Sequence, residues 1–419
     1  MQQEEEVVHP TELNITYNMR HLMDLNLLGT TEFAHITRLI INGIYPSLID
    51  GPYGLHNRLQ FPPQLTYLKY TNSLIANVPI GLPATLEELD ISGNRISRLN
   101  RLPHNLRILN CSGNYLEDLT GIPDSVTEIY CDNNTLTRIK YNRLPPNLIN
   151  FVCINCNIYE LPEIPESVTM LVCMGNKNLS KLPKLPANLI YLIFSRCNLT
   201  MLPELPDTLT EIWCDKNQIS ELPELLPHGL IVLKCEFNSL TKLPETLPRD
   251  LIILMCGNNK LTYLPDLPPK LELLSCEANN LTWLPTLSSG LIKLDCKDNQ
   301  LLVFSSAVPE TLHWLDCSNN TNIAWLPPLS IDMYYLNLSS IQLSSWSVHD
   351  VIVTEEIMHN INKTHLLRMQ KTVDSRLAVY KQELQERQME ITMNPDRIDR
   401  LIRNGELGEL GTWYESLGL

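Results

Sequence analysis

Residues 202–227 read LPELPDTLTEIWCDKNQISELPELLP, and this stretch decides the fold. It opens and closes on the same Leu-Pro turn. Between the turns lies one apolar frame, Leu209-x-x-Ile212-x-Cys214-x-x-Asn217-x-Ile219. Working outward in both directions, the frame recurs. Its first position falls at Leu65, Leu86, Leu106, Val126, Leu148, Val168, Leu189, Leu209, Leu230, Leu251, Leu271, Leu291, Leu312 and Met333, fourteen units at intervals of 20 to 22 residues.

A period this short lies at the lower end of the leucine-rich repeat range. Each slot has a physical reason. The first, fourth, sixth and eleventh positions are apolar and point into a coil. One coil cannot bury them alone, so each must stack on its neighbours. The short stretch around the fourth slot predicts a strand that pairs in parallel with the next, about 4.8 Å away. The ninth slot is asparagine in ten units, from Asn94 to Asn320. Its amide can serve backbone groups left unpaired where the chain turns out of the strand. Leu-Pro doublets such as Leu161-Pro162 and Leu264-Pro265 recur in phase on the other side. Proline fixes φ, lacks an N–H and extends the residue before it, so the convex side is expected to be extended or polyproline-like. The fold class this predicts is an α/β repeat solenoid: a leucine-rich repeat horseshoe with a parallel concave sheet and helical terminal segments.

The cysteines obey the same frame. Ten occupy the sixth slot: Cys111, Cys131, Cys153, Cys173, Cys214, Cys235, Cys256, Cys276, Cys296 and Cys317. Cys156 and Cys197 occupy the ninth. Cys153-Ile-Asn-Cys156 has the spacing of a redox or zinc motif, but two interior slots of one coil account for it, and zinc wants four convergent ligands. No metal and no cofactor are expected.

The pattern at 202–227 resembles the short-repeat leucine-rich class of bacterial type III effectors, the YopM-like and IpaH-like proteins. Their consensus also carries the doubled L-P-x-L-P turn and an N-x-L after the strand. Cysteine in the sixth slot departs from it, since an aliphatic residue is usual there. Cysteine-rich versions of the repeat resemble leucine-rich proteins of giant DNA viruses. The resemblance covers residues 61 to 343 and implies a fold more than a function. Some effectors of this class add a carboxy-terminal ubiquitin ligase domain with a nucleophilic cysteine. This chain has no cysteine after Cys317, and a thiolate mechanism needs the thiol.

Three regions follow: 1–60 as an amino-terminal cap, 61–343 as the solenoid and 344–419 as a helical carboxy-terminal region. In the first, Leu22–Leu28 suits a helical cap or an adaptor helix, and Ile36–Ile41 suits a degenerate first strand. In the last, Leu366, Met369, Val373, Leu377, Tyr380 and Leu384 form a stripe at helical spacing. Asn394-Pro395 then suits a restart and Gly405 a stop. A cap folded back on the last coil and a helix for a partner both fit.

Side chains alternate along a strand, so slots three and five face the concave surface when four and six face inward. From the third to the eleventh unit, twelve of eighteen such positions are apolar or aromatic. The candidate protein-binding residues are Tyr130, Val152, Met170, Val172, Tyr191, Ile193, Trp213, Val232, Ile253 and Met255. Charges stand outside them: Glu88 and Asp90 on one flank, Lys293, Asp295 and Asp316 on the other. A large exposed apolar patch marks an interaction site, and Tyr and Trp are favoured anchors. Strand faces also tolerate β-formers without binding anything. On the binding reading, Val172→Glu with Ile193→Glu abolishes partner capture and leaves the fold intact.

The formal charge of −15 disfavours nucleic acid and anionic lipid as partners. The start, MQQEEEVVHP, has neither the basic residues nor the apolar core of a secretory signal, and no apolar run is long enough to span a bilayer. Twelve cysteines without an export signal suit a reducing compartment, the cytoplasm, including that of a host cell. No catalytic set emerges: Gly51-Pro-Tyr-Gly54 lacks the lysine and spacing of a phosphate loop, and His104, His228 and His313 share no slot with a paired acid or thiol. The expected function is a non-catalytic module holding a protein partner, of effector or scaffold type. A substrate-recognition adaptor of a ubiquitin ligase or other enzyme assembly, and a self-assembling structural protein, are the alternatives.

Overall fold

The computed structural model of the chain describes residues 11–16, 28, 30–43, 60–141, 143–303, 308–323 and 333–341. It divides into two units, residues 1–251 and 252–419. In the first, eleven strands lie side by side in chain order: β1 (Glu12–Thr16), β2 (Arg38–Asn42), β3 (Tyr67–Thr71), β4 (Glu88–Asp90), β5 (Ile108–Asn110), β6 (Glu128–Tyr130), β7 (Asn150–Val152), β8 (Met170–Val172), β9 (Tyr191–Ile193), β10 (Glu211–Trp213) and β11 (Val232–Lys234). In the second, five do: β12 (Ile253–Met255), β13 (Leu273–Ser275), β14 (Lys293–Asp295), β15 (Trp314–Asp316) and β16 (Tyr335–Asn337).

Within each unit the pairing is parallel and keeps the sequence frame in register. Leu109 meets Ile129, Phe151 meets Leu171, and Leu274 meets Leu294, each at the fourth slot. A one-residue slip would turn every interior side chain outward, so the stacked leucines lock the register. Leu65, Leu68, Leu86, Leu209, Ile212 and Cys214 are all fully buried. At about 1.5–3 kcal/mol for each large apolar side chain taken out of water, four such slots per coil dominate the stability.

The turn into most strands begins at proline, with Ser288 in that place before Leu291. Leu86 N donates to Pro83 O at 3.2 Å, Leu106 N to Pro103 O at 3.2 Å and Leu271 N to Pro268 O at 3.1 Å. This is an i to i+3 turn closed by the first leucine of the frame. A second polar ladder runs just before that leucine. Thr85, Ser125, Ser167, Thr208 and Thr311 donate their hydroxyls to Leu65 O, Leu106 O, Leu148 O, Leu189 O and Leu291 O of the preceding coil at 2.7–2.8 Å. The described residues hold short 3-10 turns at Thr31–Phe33 and Ile139–Tyr141 but no α-helix. A repeat of this length leaves no room for one on the convex side.

The turn out of the strand needs the left-handed region in every coil. The eighth slot has φ between +50° and +75° from Asn72 through Ser340. Nine of these fourteen residues are Gly, Asn or Asp, the types that reach that region most cheaply. Arg196, Lys216, Phe237, Ala278 and Ser340 adopt it too.

At the amino end, β2 matches the expected degenerate strand. β1 was not legible: it pairs with β2 from Glu12↔Arg38 to Thr16↔Asn42 and buries Ile15. The helical readings of Leu22–Leu28 and of the carboxy-terminal region lie outside the described residues, save Leu28, which is buried.

Candidate functional site

The ninth-slot asparagines hold neighbouring strands in place. Asn94 Oδ1 accepts from Ser73 N and Ile75 N of the preceding coil, while its Nδ2 donates to Tyr70 O at 2.7 Å and Ile91 O at 3.0 Å. Asn114, Asn134, Asn176, Asn217, Asn238, Asn279, Asn299 and Asn320 repeat the arrangement. All four polar capacities of the amide serve the backbone, so this ladder is structural.

The sixth-slot thiols are structural as well. All twelve cysteines are buried and outside any disulfide, and burial pushes the Cys111 and Cys214 thiols far above the ordinary range. A protonated, inaccessible thiol is a poor metal ligand in the folded coil and reacts as a nucleophile only where the coil opens. Among the described residues no group of three His, Cys, Asp or Glu side chains is placed to hold a metal.

The third and fifth slots do form one row on the outer side of the sheet. In the first unit, Tyr130, Val152, Val172, Ile193 and Trp213 follow one another along the fifth slot, and Met170 and Tyr191 stand beside them in the third. The row is far less accessible than the sequence suggests. Tyr130, Val152, Met170, Val172, Tyr191, Ile193 and Val232 are all buried, Met170 to 1% exposure. In-register parallel strands set these side chains shoulder to shoulder, so each shades the next. The expected broad apolar patch is therefore narrow in the first unit, with Trp213 as its half-buried opening. In the second unit, Ile253 and Met255 of β12 are half-buried, and Leu273 is buried.

Around Trp213 the chemistry changes. Lys234 Nζ lies 3.8 Å from the centre of the Trp213 ring. Burial lowers the Lys234 pKa, against the pull of Glu236, Asp215 and Glu211. A cation over a desolvated indole face contributes about 2 kcal/mol. Trp213 Nε1 is buried and has no hydrogen-bond partner among the described residues. Ser195 donates a short hydrogen bond to Asp215 Oδ1. Beside this cluster, Phe237 is 48% exposed with φ +50°, and Lys216 Nζ sits 4.8 Å from its ring centre. The sequence reading missed Lys234 and Phe237 as site residues. For Phe237 the signal was a bulky side chain at the eighth slot, where most coils carry Gly, Asn or Asp; Lys234 stands in the outward fifth slot.

In the second unit the outer face turns polar beyond β13. Lys293 Nζ lies 4.3 Å from the centre of the Trp314 ring, which stacks on Tyr335 at 4.5 Å. Asp295 accepts from Lys297 Nζ at 3.3 Å. Burial nonetheless pushes Asp295 up to about 6, with Glu277 adding to the rise.

Fold and face together point to known repeat proteins. The chain is similar to YopM from Yersinia enterocolitica, with 31% identity over 75% of this chain and 70% of that one, at a TM-score of 0.66. The chain belongs to the leucine-rich repeat family, in its YopM-like form. A second similar structure is YopM from Yersinia pestis, described as a leucine-rich effector protein: 27% identity, 73% of this chain, 84% of that one, TM-score 0.63. No protein-family model matches the sequence, and no curated protein matches it. Cysteine in the sixth slot and the Trp213–Lys234 pair are features of this chain's own residues. No helix among the described residues is long and apolar enough to cross a membrane.

Proposed function

We propose that this leucine-rich repeat chain is a non-catalytic, protein-binding module of effector or scaffold type, gripping a protein partner through its third and fifth slots. The observation that carries this reading is Trp213. Its indole is half-buried on the outer face of β10, cushioned by Lys234, and its N–H has no partner among the described residues. A buried donor without an acceptor costs about 1–3 kcal/mol, and a turn of the indole toward the surface would let a carbonyl from a partner chain recover it. Tryptophan in such a setting is the residue type that most often anchors an interface.

The buried row behind Trp213 supplies rigidity rather than contact area: Val172 and Ile193 hold β8 and β9 against β10. The half-buried Ile253 and Met255 of the second unit offer adaptable apolar surface of the same kind. The likeness to YopM, an effector by its description, supports the effector reading. Twelve thiols outside any disulfide in one chain support residence in a reducing compartment such as the cytoplasm.

The test is a pull-down from native cells followed by titration of the captured partner against variants. Trp213→Ala and Lys234→Met are expected to weaken binding by about tenfold or more, while the lost cation–π contact lowers the thermal midpoint by a few degrees. Unchanged affinity in both variants overturns the assignment of this face.

A further inference from the structure

Ten of the twelve cysteines repeat one slot, and the other two depart from it in a correlated way. Cys156 and Cys197 stand at the ninth slot, where ten coils carry asparagine. An asparagine there donates to the sixth-slot carbonyl of the coil before, as Asn114 does to Ile91 O at 3.0 Å. The two cysteines make the same bond through sulfur. Cys156 Sγ donates to Cys131 O at 3.1 Å, and Cys197 Sγ to Cys173 O at 3.3 Å. In both cases the sixth-slot residue reached is itself a cysteine. The substitution therefore brings a second thiol against the first: Cys156 is a hydrogen-bonding neighbour of Cys131, and Cys197 of Cys173. The intervening ladder thiol, Cys153, meets asparagine instead, since Asn176 donates to its carbonyl at 2.9 Å.

The two pairs differ in access. Cys197 is 9% exposed, while Cys173, Cys131 and Cys156 are fully buried. We propose that Cys173 and Cys197 are a latent disulfide pair, closed by a peroxide, which staples the coil of β8 to the coil of β9. The Cys197 thiolate attacks one peroxide oxygen and breaks the O–O bond, giving a sulfenic acid and, with the thiol's proton, one water. The Cys173 thiolate then attacks the Cys197 sulfur and displaces hydroxide, which leaves as a second water with the Cys173 proton. Two thiols and one hydrogen peroxide become one disulfide and two waters, with sulfur oxidised and both peroxide oxygens reduced. The hydrogen bond from Cys197, and then burial, hold the Cys173 thiol protonated, so closure is slow and follows local opening of the coil. Cys131 and Cys156 occupy the same two slots without an exposed sulfur, and they close later. Closing the staple fixes one whole coil against its neighbour and limits opening of the outer face at β8 and β9.

The experiment treats the native full chain with hydrogen peroxide, blocks remaining thiols with an alkylating agent, and maps peptides by mass spectrometry. A thermal melt with and without a thiol reductant accompanies it. The expected result is a Cys173–Cys197 cross-linked peptide that forms before any Cys131–Cys156 peptide. A rise of several degrees in the thermal midpoint accompanies it and reverses on reduction. Cys197→Asn restores the ladder's usual residue, keeps the fold, and abolishes the rise. The proposal is overturned if Cys197 runs on to sulfinic acid with Cys173 free, if Cys197 links to another cysteine, or if all twelve thiols are still alkylated after peroxide and unfolding. It is overturned equally if Cys197→Asn shows the same rise.

Discussion

Asn134 ties two coils together through Cys111. Its Nδ2 donates to Cys111 O of the preceding coil at 3.0 Å and to Cys131 O of its own at 2.8 Å, while its Oδ1 accepts from Leu116 N at 2.9 Å. Removing the amide strands three buried backbone groups. Asn134→Leu is therefore expected to cost about 3 kcal/mol, read as a fall in the urea midpoint. Asn134→Cys is expected to cost roughly half as much, because Cys156 and Cys197 show that a thiol keeps the bond to the preceding carbonyl. Equal losses in the two variants would contradict the donor role.

The eighth slot makes a backbone prediction. Gly175 has φ +75°, and an added Cβ would meet Asn155 Oδ1 at 1.9 Å. The Asn155 side chain is exposed and can swing away, but the left-handed backbone remains. Gly175→Ala should cost about 1–2 kcal/mol. Gly229, which has open space around it and no positive φ, should accept alanine with a gain of about 0.4–1 kcal/mol. Thermal melts of the two variants check the contrast.

Burial divides the candidate residues into two groups with opposite expectations. Val172 lies between Val152 and Ile193 and is 5% exposed. Val172→Glu puts an unpaired carboxylate among apolar neighbours and should lower stability by about 3 kcal/mol or more. A pull-down with that variant reports misfolding, not contact. Trp213→Ala removes a half-buried ring and should leave the far-ultraviolet spectrum and the melt close to the parent.

How far the sequence was legible follows from what repeats. The frame from Leu65 to Met333 was readable because fourteen coils sample each slot, so register, interior and asparagine ladder stand out above the noise of any one unit. β1 was not, because Glu12–Thr16 occurs once, lies outside the period and shows its burial only at Ile15. Within each unit the third and fifth slots pair in register along the strands, but alternation cannot report how tightly in-register strands shade one another. Met170 and Trp213 look equally available on paper, and only the coordinates separate them. The left-handed eighth slot was legible in principle, since nine of its fourteen residues are Gly, Asn or Asp. The exceptions Arg196, Lys216 and Phe237 mark where that preference is set aside.

The outer face of the second unit carries a pH signature. Burial, then Glu277, hold the Asp295 pKa up at about 6, and Lys297 and its hydrogen bond only partly offset them. Asp316 faces the same group and pushes in the same direction. The unfolded chain has an ordinary aspartate near pH 4. Between the two values the folded state binds the extra proton, so stability falls as pH rises from about 4 to about 6 and is level above that. The sign is opposite to that of a salt-bridged carboxylate, because here the charged form is the penalised one. Asp295→Asn keeps the shape without the charge. It should equal the parent below about pH 4 and exceed it by roughly 2–3 kcal/mol near neutrality, the difference opening between those limits. Urea midpoints of both proteins at half-unit pH steps check this. A constant difference across the range would place the titrating group elsewhere.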